Sequence, residues 1–174
     1  MRKLVVVMAA AIALAVGIGT VSAAGGADVH TRTVSFVLSS DTCPNLDAGT
    51  TVTGTGTEKS ISNVRTDQSG VMTIENNTHT HGTATDRDGN TYVFNYSNQF
   101  RITNSTADPS TFTGTMNDSF SLAGNAQNLT NGFHAGVTFE FDQSGNIVSA
   151  SFEQNQAHGD PIDFSTGAAI CDPL

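Results

Sequence analysis

The region from residue 90 to residue 102 has the clearest alternation of apolar and polar residues in the chain. Apolar side chains stand at every second position, broken only by Asn98, and polar or charged side chains lie between them. A β-strand directs successive side chains to opposite faces, so this pattern predicts a strand with one apolar and one solvated face. We expect it to be a central strand of an antiparallel sheet. Its apolar positions are Tyr92, Phe94, Tyr96, Phe100 and Ile102.

Similar alternation elsewhere predicts about eight strands in all. The other predicted strands cover residues 31–38, 50–58, 60–66, 71–85, 111–122, 132–141 and 146–153. Phenylalanine supplies most of the bulk of their apolar faces, as at Phe112, Phe120, Phe133 and Phe139, and the chain has no Trp. We interpret residues 124–131 as a polar loop and residues 154–174 as a tail with little periodicity.

Three sequences of the form Asp-x-x-Gly, beginning at Asp67, Asp86 and Asp142, separate neighbouring predicted strands. In each, the Asp carboxylate can accept a hydrogen bond from the backbone two residues on, and the Gly can adopt a positive φ, so each predicts a hairpin. Short strands joined by hairpins predict an all-β antiparallel meander. We favour a small closed or nearly closed β-barrel, because closure removes exposed strand edges. A β-sandwich is the alternative.

The first 23 residues have the features of a secretory signal peptide. Arg2 and Lys3 precede an apolar run at residues 4–18, and small residues at positions 21 and 23 fit a cleavage site. The run is shorter than the roughly 20 residues that a membrane-spanning helix needs. We therefore expect a single secreted, extracellular β domain over residues 24–174, with no membrane span after cleavage.

The chain is acidic, with a formal net charge of −9. Loss of Arg2 and Lys3 would leave 5 basic residues against 16 acidic ones, a net charge of −11. Such a surface repels phosphate backbones and anionic lipid heads, so we expect no nucleic-acid partner.

Two cysteines, Cys43 and Cys171, are present. An even pair in an exported chain predicts one disulfide that ties the start of the domain to its end. The alternative is two free thiols.

His79 and His81 are a close histidine pair whose side chains share one face of a predicted strand, and Glu75 lies on the same face. Two imidazoles in this arrangement can meet one metal ion. The face is opposite to Met72 and Ile74, however, so it is predicted to be the outer, solvated one. We therefore expect no tightly bound transition metal and no cofactor.

Asp118 falls on the apolar face of its predicted strand. An inward carboxylate needs hydrogen-bond partners or a shifted pKa, and Tyr96 on a neighbouring strand is a candidate partner. The alternative, which we favour, is a strand bulge at Asn117 and Asp118 that turns the carboxylate outward.

Five short segments bear on the setting of the protein, namely residues 90–96, 118–124, 132–133, 159–161 and the C-terminal Cys-Asp-Pro-Leu at residues 171–174. Together they resemble small, exported, β-rich bacterial proteins of uncharacterised function that end in the same motif. The resemblance implies a secreted bacterial setting. It brings no catalytic residue.

Three function classes remain open. A binding module would hold a small apolar ligand in an aromatic interior. A structural or interaction protein of the cell surface would have no small-molecule site. A metal- or carboxylate-dependent enzyme, using His79 and His81 or Asp118, ranks below both. The expected ligand-lining residues are Tyr92, Phe94, Tyr96, Phe112, Asp118, Phe120 and Phe133.

Overall fold

The computed structural model describes residues 26–41, 43, 45–158, 162–163 and 170–171, with only the backbone described at Phe133 and after Glu153. The predicted signal peptide, residues 1–23, lies outside the described residues. Within them the secondary structure is β throughout, and none of it is a helix long and apolar enough to cross a membrane. The strands are β1 (Asp28–Ser39), β2 (Thr51–Thr66), β3 (Met72–Asp86), β4 (Thr91–Asn104), β5 (Thr111–Gly124), β6 (Asn128–Phe141), β7 (Ile147–His158), β8 (Ile162–Asp163) and β9 (Ile170–Cys171).

In the described part of the chain, β1 to β7 form one seven-stranded antiparallel sheet in chain order, and β8 pairs with β9 separately. The predicted all-β meander is therefore confirmed, and so is the central place of β4. Closure of the meander into a barrel is not confirmed. The ladder of described strands is open, with β1 and β7 at its two edges.

The sheet curls strongly although its ladder is open. In a flat sheet β1 and β5 would be about 19 Å apart, since neighbouring strands are about 4.8 Å apart. The rings of Phe36 on β1 and Phe120 on β5 nevertheless lie 6.1 Å apart, centre to centre. The sheet therefore bends far enough to bring its first and fifth strands face to face, and this bend creates an inner face and an outer face.

Buried apolar side chains form two clusters on the inner face, one near each end of the strands. The first, which we call the capped cluster, comprises Phe36, Leu38, Cys43, Leu46, Val52, Ala84, Tyr92, Phe94, Phe120, Leu122 and Leu129. Cys43 and Leu46 come from the loop between β1 and β2, so this loop covers one end of the curl. The second, which we call the far cluster, comprises Ile74, Phe100, Ile102, Phe112, Met116, Ala135, Val137 and Phe139.

Aromatic rings in the capped cluster lie directly over inward-facing glycines. A Cβ added at Gly54 would stand 2.3 Å from the Phe36 ring, and one added at Gly82 would stand 2.6 Å from the Phe94 ring. Glycine allows this close approach and favours the tight bending of a curled sheet. The alternation of Thr with Val or Gly at residues 51–57 thus places Thr outward and the ring-covered glycines inward.

The structure corrects several strand boundaries predicted from the sequence. In the predicted tail, β7 continues to His158, and β8 and β9 follow it. Residues 50–58 and 60–66 were predicted as separate strands, but β2 is continuous, because Lys59 pairs with Thr31 and His79 without a break. The predicted loop at residues 124–131 is shorter, because β6 already begins at Asn128 and buries Leu129.

The three predicted hairpin turns are confirmed. Gly70, Gly89 and Gly145 have φ values of 89°, 82° and 80°. The preceding Asp carboxylates accept backbone hydrogen bonds, as Asp86 does from the N–H groups of Asp88 and Asn90 at 3.0 and 2.9 Å.

Cys43 is fully buried, and the described residues include no free thiol. The side chain of Cys171 lies outside the described residues, so its pairing with Cys43 stays a prediction.

Candidate functional site

A band of polar side chains crosses the inner face between the two apolar clusters. We call it the polar belt, and most of its members are half-buried. Polar groups on the inner face of a curled sheet cost free energy unless they find hydrogen-bond partners. The stability of the belt therefore depends on the hydrogen-bond partners of its members. Its members are Glu58, Ser60, Ser62, Asn76, Thr78, Thr80, Tyr96, Asn98, Asp118 and Asn131.

Asp118 occupies the centre of the belt and is buried, with 8 % of its surface exposed. The Tyr96 hydroxyl donates a hydrogen bond of 2.8 Å to its Oδ2, and the Asn98 amide donates another of 3.1 Å. The pairing of β5 with β4 and β6 runs through Asp118 without a register shift. The bulge that we favoured from the sequence is therefore wrong, and the inward alternative with Tyr96 as partner is confirmed. Two donors from one neighbouring strand offset the desolvation of the carboxylate.

A second hydrogen-bonded group lies on the β2 and β3 side of the belt. The Asn76 amide donates to the hydroxyls of Ser60 and Ser62 at 2.9 and 2.7 Å. The Thr78 hydroxyl lies 3.1 Å from that of Ser60 and 2.9 Å from the Asn76 carbonyl oxygen. These side chains hold one another in place while they remain half-accessible to solvent.

Glu58 is a buried belt carboxylate that the sequence analysis did not single out. The Arg32 guanidinium, directly opposite on β1, donates two hydrogen bonds to it, of 2.6 and 3.2 Å. Such a two-bond pair stabilises a buried carboxylate well. The alternation along β2 could have identified it. Glu58 lies an even number of positions after Val52 and Gly54, so its side chain points to the same, inner face.

Thr80 stands between Glu58 and Tyr96 in the strand register. Only 2 % of its surface is exposed, and its hydroxyl has no hydrogen-bond partner within the described residues. Buried hydroxyls are seldom left in this state, and a bound water or ligand group commonly accounts for the exceptions. Thr80 therefore marks a point in the belt with unused hydrogen-bonding capacity.

The structure divides the predicted ligand-lining residues between different surroundings. Tyr92, Phe94 and Phe120 belong to the capped cluster, and Tyr96 packs against it. Phe112 belongs to the far cluster, beyond the belt that holds Asp118. The Phe133 side chain lies outside the described residues. The predicted residues thus do not line a single aromatic chamber.

Tyr92 links the capped cluster to a turn. Its buried hydroxyl donates a hydrogen bond of 2.8 Å to Asp86. Burial, together with the bond to the Asp86 carboxylate, raises the pKa of Tyr92. Hydrogen bonds from Asn90 and then from Tyr92 lower the pKa of Asp86. This link is structural, because it fixes the turn between β3 and β4 against the core.

The two histidines of the predicted weak metal site lie on the outer face. His79 and His81 are both exposed, as their phase along β3 predicts. Glu75, the local carboxylate, accepts a hydrogen bond of 3.1 Å from Arg65 and forms an ion pair with Arg101 at 3.3 Å. Over the described residues, no three His, Cys, Asp or Glu side chains are grouped so that they could hold a metal ion.

Asp118 does not pair with the carboxylate of Glu140 or Glu153. Glu140 and Glu153 are exposed and lie out of phase with the inward residues of their strands. They stand on the opposite face of the sheet from Asp118, so they do not form a carboxylate pair with it.

Searches of protein-family models, of curated proteins and of solved structures found no match to this chain.

Proposed function

We propose that this protein is a secreted binding protein. Its ligand is a small molecule with an apolar part and a hydrogen-bonding part, held on the inner face where the polar belt meets the far cluster. The observation that carries the proposal is a single row of inward residues that changes from polar to apolar along its length. Ser62, Asn76, Phe100, Met116 and Ala135 are successive cross-strand neighbours in this row, from β2 to β6.

The capped cluster is an unfavourable place for a ligand because its own rings fill it. The ring centres of Phe36 and Phe94 lie 4.7 Å apart in an edge-to-face contact. Phe94 and Phe120 lie 6.3 Å apart and are nearly parallel. All three side chains are almost completely buried. An apolar ligand would have to displace these contacts, which each stabilise the fold by about 0.5–1.5 kcal/mol beyond simple burial.

The far cluster offers more accessible apolar surface. Partly buried side chains from β2, β3, β6 and β7 pack around its buried centre, namely Val64, Met72, Phe141, Ile147, Ala150 and Phe152. The flexible Met72 side chain among them adapts well to an apolar ligand. The half-buried belt residues beside them provide hydroxyl and amide groups that orient its polar end. This combination supports a ligand of mixed character over the purely apolar one expected from the sequence.

The expectation of secretion rests on the basic and apolar residues at the N-terminus. The chain has few charged residues, most of them acidic, and a predicted long-range disulfide, which is consistent with an extracellular setting.

Binding of the neutral dye Nile red, with 1-octanol as competitor, tests the proposal. The chain has two tyrosines and no Trp, so a Tyr92→Phe variant leaves Tyr96 as its sole tyrosine emitter. We expect saturable dye binding, a change in Tyr96 emission, and displacement of the dye by octanol.

Two variants locate the site. Phe152→Ala should weaken binding because it removes an apolar contact with the ligand. Asn76→Ala should weaken binding because it removes a hydrogen bond to the polar end of the ligand. Val148→Ala, at a side chain of β7 that is 63 % exposed, is the control and should bind as the parent does. Absence of saturable binding, or equal affinity in all three variants, would refute the proposal.

A further inference from the structure

The outer face of the sheet divides into a neutral half and a charged half. Near the far end, Arg65, Glu75 and Arg101 form a network of ion pairs. Toward the capped end, the outward positions of β2 to β6 hold mainly Thr, Ser, Asn and His in the described structure. Lys59 is the charged residue there. In a chain with a net charge of −9, such a neutral area of strand surface is a distinct chemical environment.

An open groove of about 450 Å³ crosses this neutral half over β3 to β6. The groove is open to solvent, so it would contact a ligand along one side only. Outward side chains from four neighbouring strands line it, so it runs across the strands. The lining side chains that matter here are His79, His81, Asn95, Ser97, Ser121 and Thr130.

Most polar side chains in the groove keep their hydrogen-bonding capacity unused. Ser97 and Ser119 bond each other, with 2.9 Å between their hydroxyl oxygens. Five other lining side chains make no hydrogen bond to any described residue, namely His79, His81, Asn95, Ser121 and Thr130. Elsewhere on the same face, Asn117 does find a partner, the His134 ring. The groove therefore presents a set of donors and acceptors that remain available to a ligand.

The chemistry of the groove selects among ligand classes. An anionic ligand is opposed by the net charge of the chain, and a cationic ligand finds no carboxylate among the described lining residues. An apolar ligand finds no phenyl or phenol ring in the described lining, because Tyr96 and Phe120 turn their side chains to the inner face. What fits is a neutral ligand with many hydroxyl groups.

We propose that this groove binds a neutral glycan chain. Side chains two apart on a strand are about 6.7 Å apart, and neighbouring strands are about 4.8 Å apart. The groove thus offers hydrogen-bonding groups at regular intervals across four strands. An extended chain of uncharged sugars presents hydroxyl groups repeatedly along its length and can meet several of them at once. This site is separate from the ligand site of the inner face, because the sheet itself lies between them.

Affinity electrophoresis of the full chain tests this site. The acidic protein migrates toward the anode, and a neutral polysaccharide in the gel slows it more than a non-binding reference protein only if it binds. We use dextran, laminarin and galactomannan as neutral probes and alginate as the anionic one. At least one neutral probe should slow the protein about twofold once its site concentration reaches the dissociation constant. Alginate should have no such effect.

A double variant, His81→Ala with Asn95→Ala, removes one cross-strand pair from the groove and should abolish the retardation. The matched control is Thr85→Ala with Thr91→Ala, an exposed pair on the same two strands outside the groove, which should remain retarded. Asn76→Ala on the inner face should also remain retarded, so this test is independent of the inner site. Retardation by none of the neutral probes, or equal retardation of both double variants, would overturn the proposal.

Discussion

The capped cluster and the far cluster occupy the same inner face of the same sheet, yet they differ in how completely they are closed. A loop that carries Cys43 and Leu46 covers the capped cluster, and its rings stack on glycines of the neighbouring strands. The far cluster has no such loop among its described members, and six of its apolar neighbours remain partly exposed. Strand alternation thus makes an apolar face, but a covering loop decides whether that face becomes a sealed core.

The polar belt between the two clusters makes the difference possible. Side chains such as Asp118 and Asn76 hold hydrogen bonds with neighbouring strands at mid-height, so the apolar interior does not run unbroken from end to end. One cluster can then serve stability while the other keeps accessible surface. We expect the largest losses of stability from changes in the capped cluster.

The largest effect is expected for Phe94→Ala. Phe94 is fully buried, and removal of its ring takes away the contacts with Phe36 and Phe120. Truncation of a buried Phe costs about 3–5 kcal/mol through lost burial and the cavity that remains. Val93→Ala is the control, because Val93 is 55 % exposed on the other face, and it should change stability by less than about 0.5 kcal/mol. Denaturant midpoints of both variants give the comparison, and a greater loss at Val93 would reverse the assignment of faces.

A comparable loss of stability is expected when the loop that covers the capped cluster loses its predicted disulfide. We predict that Cys43 and Cys171 form a disulfide. The buried position of Cys43, and the approach of β9 to β1, support this pairing. Cys171→Ser should then lower stability by about 2–5 kcal/mol.

Intact mass checks the bond directly. The unreduced protein should be lighter than the reduced protein by two hydrogens, the difference that one bridge makes. Alkylation of both thiols in native, unreduced protein would disprove the bridge.

A smaller loss of stability is expected when a glycine beneath an aromatic ring is replaced by Ala. Gly54→Ala places a Cβ 2.3 Å from the Phe36 ring, so the ring must shift within a filled cluster. Overpacking of this kind costs about 1–3 kcal/mol. Gly136→Ala is the matched change in another strand, where the nearest atoms lie 3.8 Å away. It should leave the thermal midpoint unchanged or raise it slightly. Equal loss in both variants would show that strand glycines matter here for a reason other than ring contact.

Much of the fold follows from local patterns in the sequence. Alternation around Phe94 predicts both the strand and its inward face, and the three Asp-x-x-Gly sequences predict the turns. These features depend on residues close together in the chain. The inward place of Asp118 also follows from phase alone. The sequence nevertheless favours a bulge, because a carboxylate on an apolar face is costly and the second donor, Asn98, is not apparent from the sequence.

The candidate site depends on distant contacts, so the sequence predicts much less of it. The meeting of Phe36 with Phe120 requires the curl of four intervening strands. The division of the aromatic residues into two clusters, and the cover supplied by Leu46, also arise from this curl. Local alternation assigns faces, but it does not show which inward residues meet. For that reason one aromatic chamber was expected where a belt and two clusters are found.

The smallest expected effect is a difference between the far end and the capped end of the sheet in how early each loses stability in acid. Asp67, Asp108 and Asp142 lie in connections at the far end, and Asp86 lies at the capped end. Hydrogen bonds lower the pKa of each, those from Ser69, Thr111, Asn146 and Asn90 respectively contributing most. A lowered native pKa means that the unfolded state binds more protons. The stabilisation is therefore full above the ordinary value of 3.8 and is lost as the pH falls below it.

With three such carboxylates against one, the far end should loosen first as the pH is lowered from 6 to about 3. Hydrogen exchange can follow the loosening at the turn amides of Gly70, Gly145 and Gly89. Each of these amides donates to the backbone carbonyl of the Asp that begins its turn. Protection factors, corrected for the intrinsic pH dependence of exchange, should fall earlier at Gly70 and Gly145 than at Gly89. Asp142→Asn keeps a hydrogen-bond acceptor that does not titrate, so protection at Gly145 should lose its pH dependence. Earlier loss of protection at Gly89 would show that the capped end is the weaker one in acid, although its apolar cluster is the more completely covered.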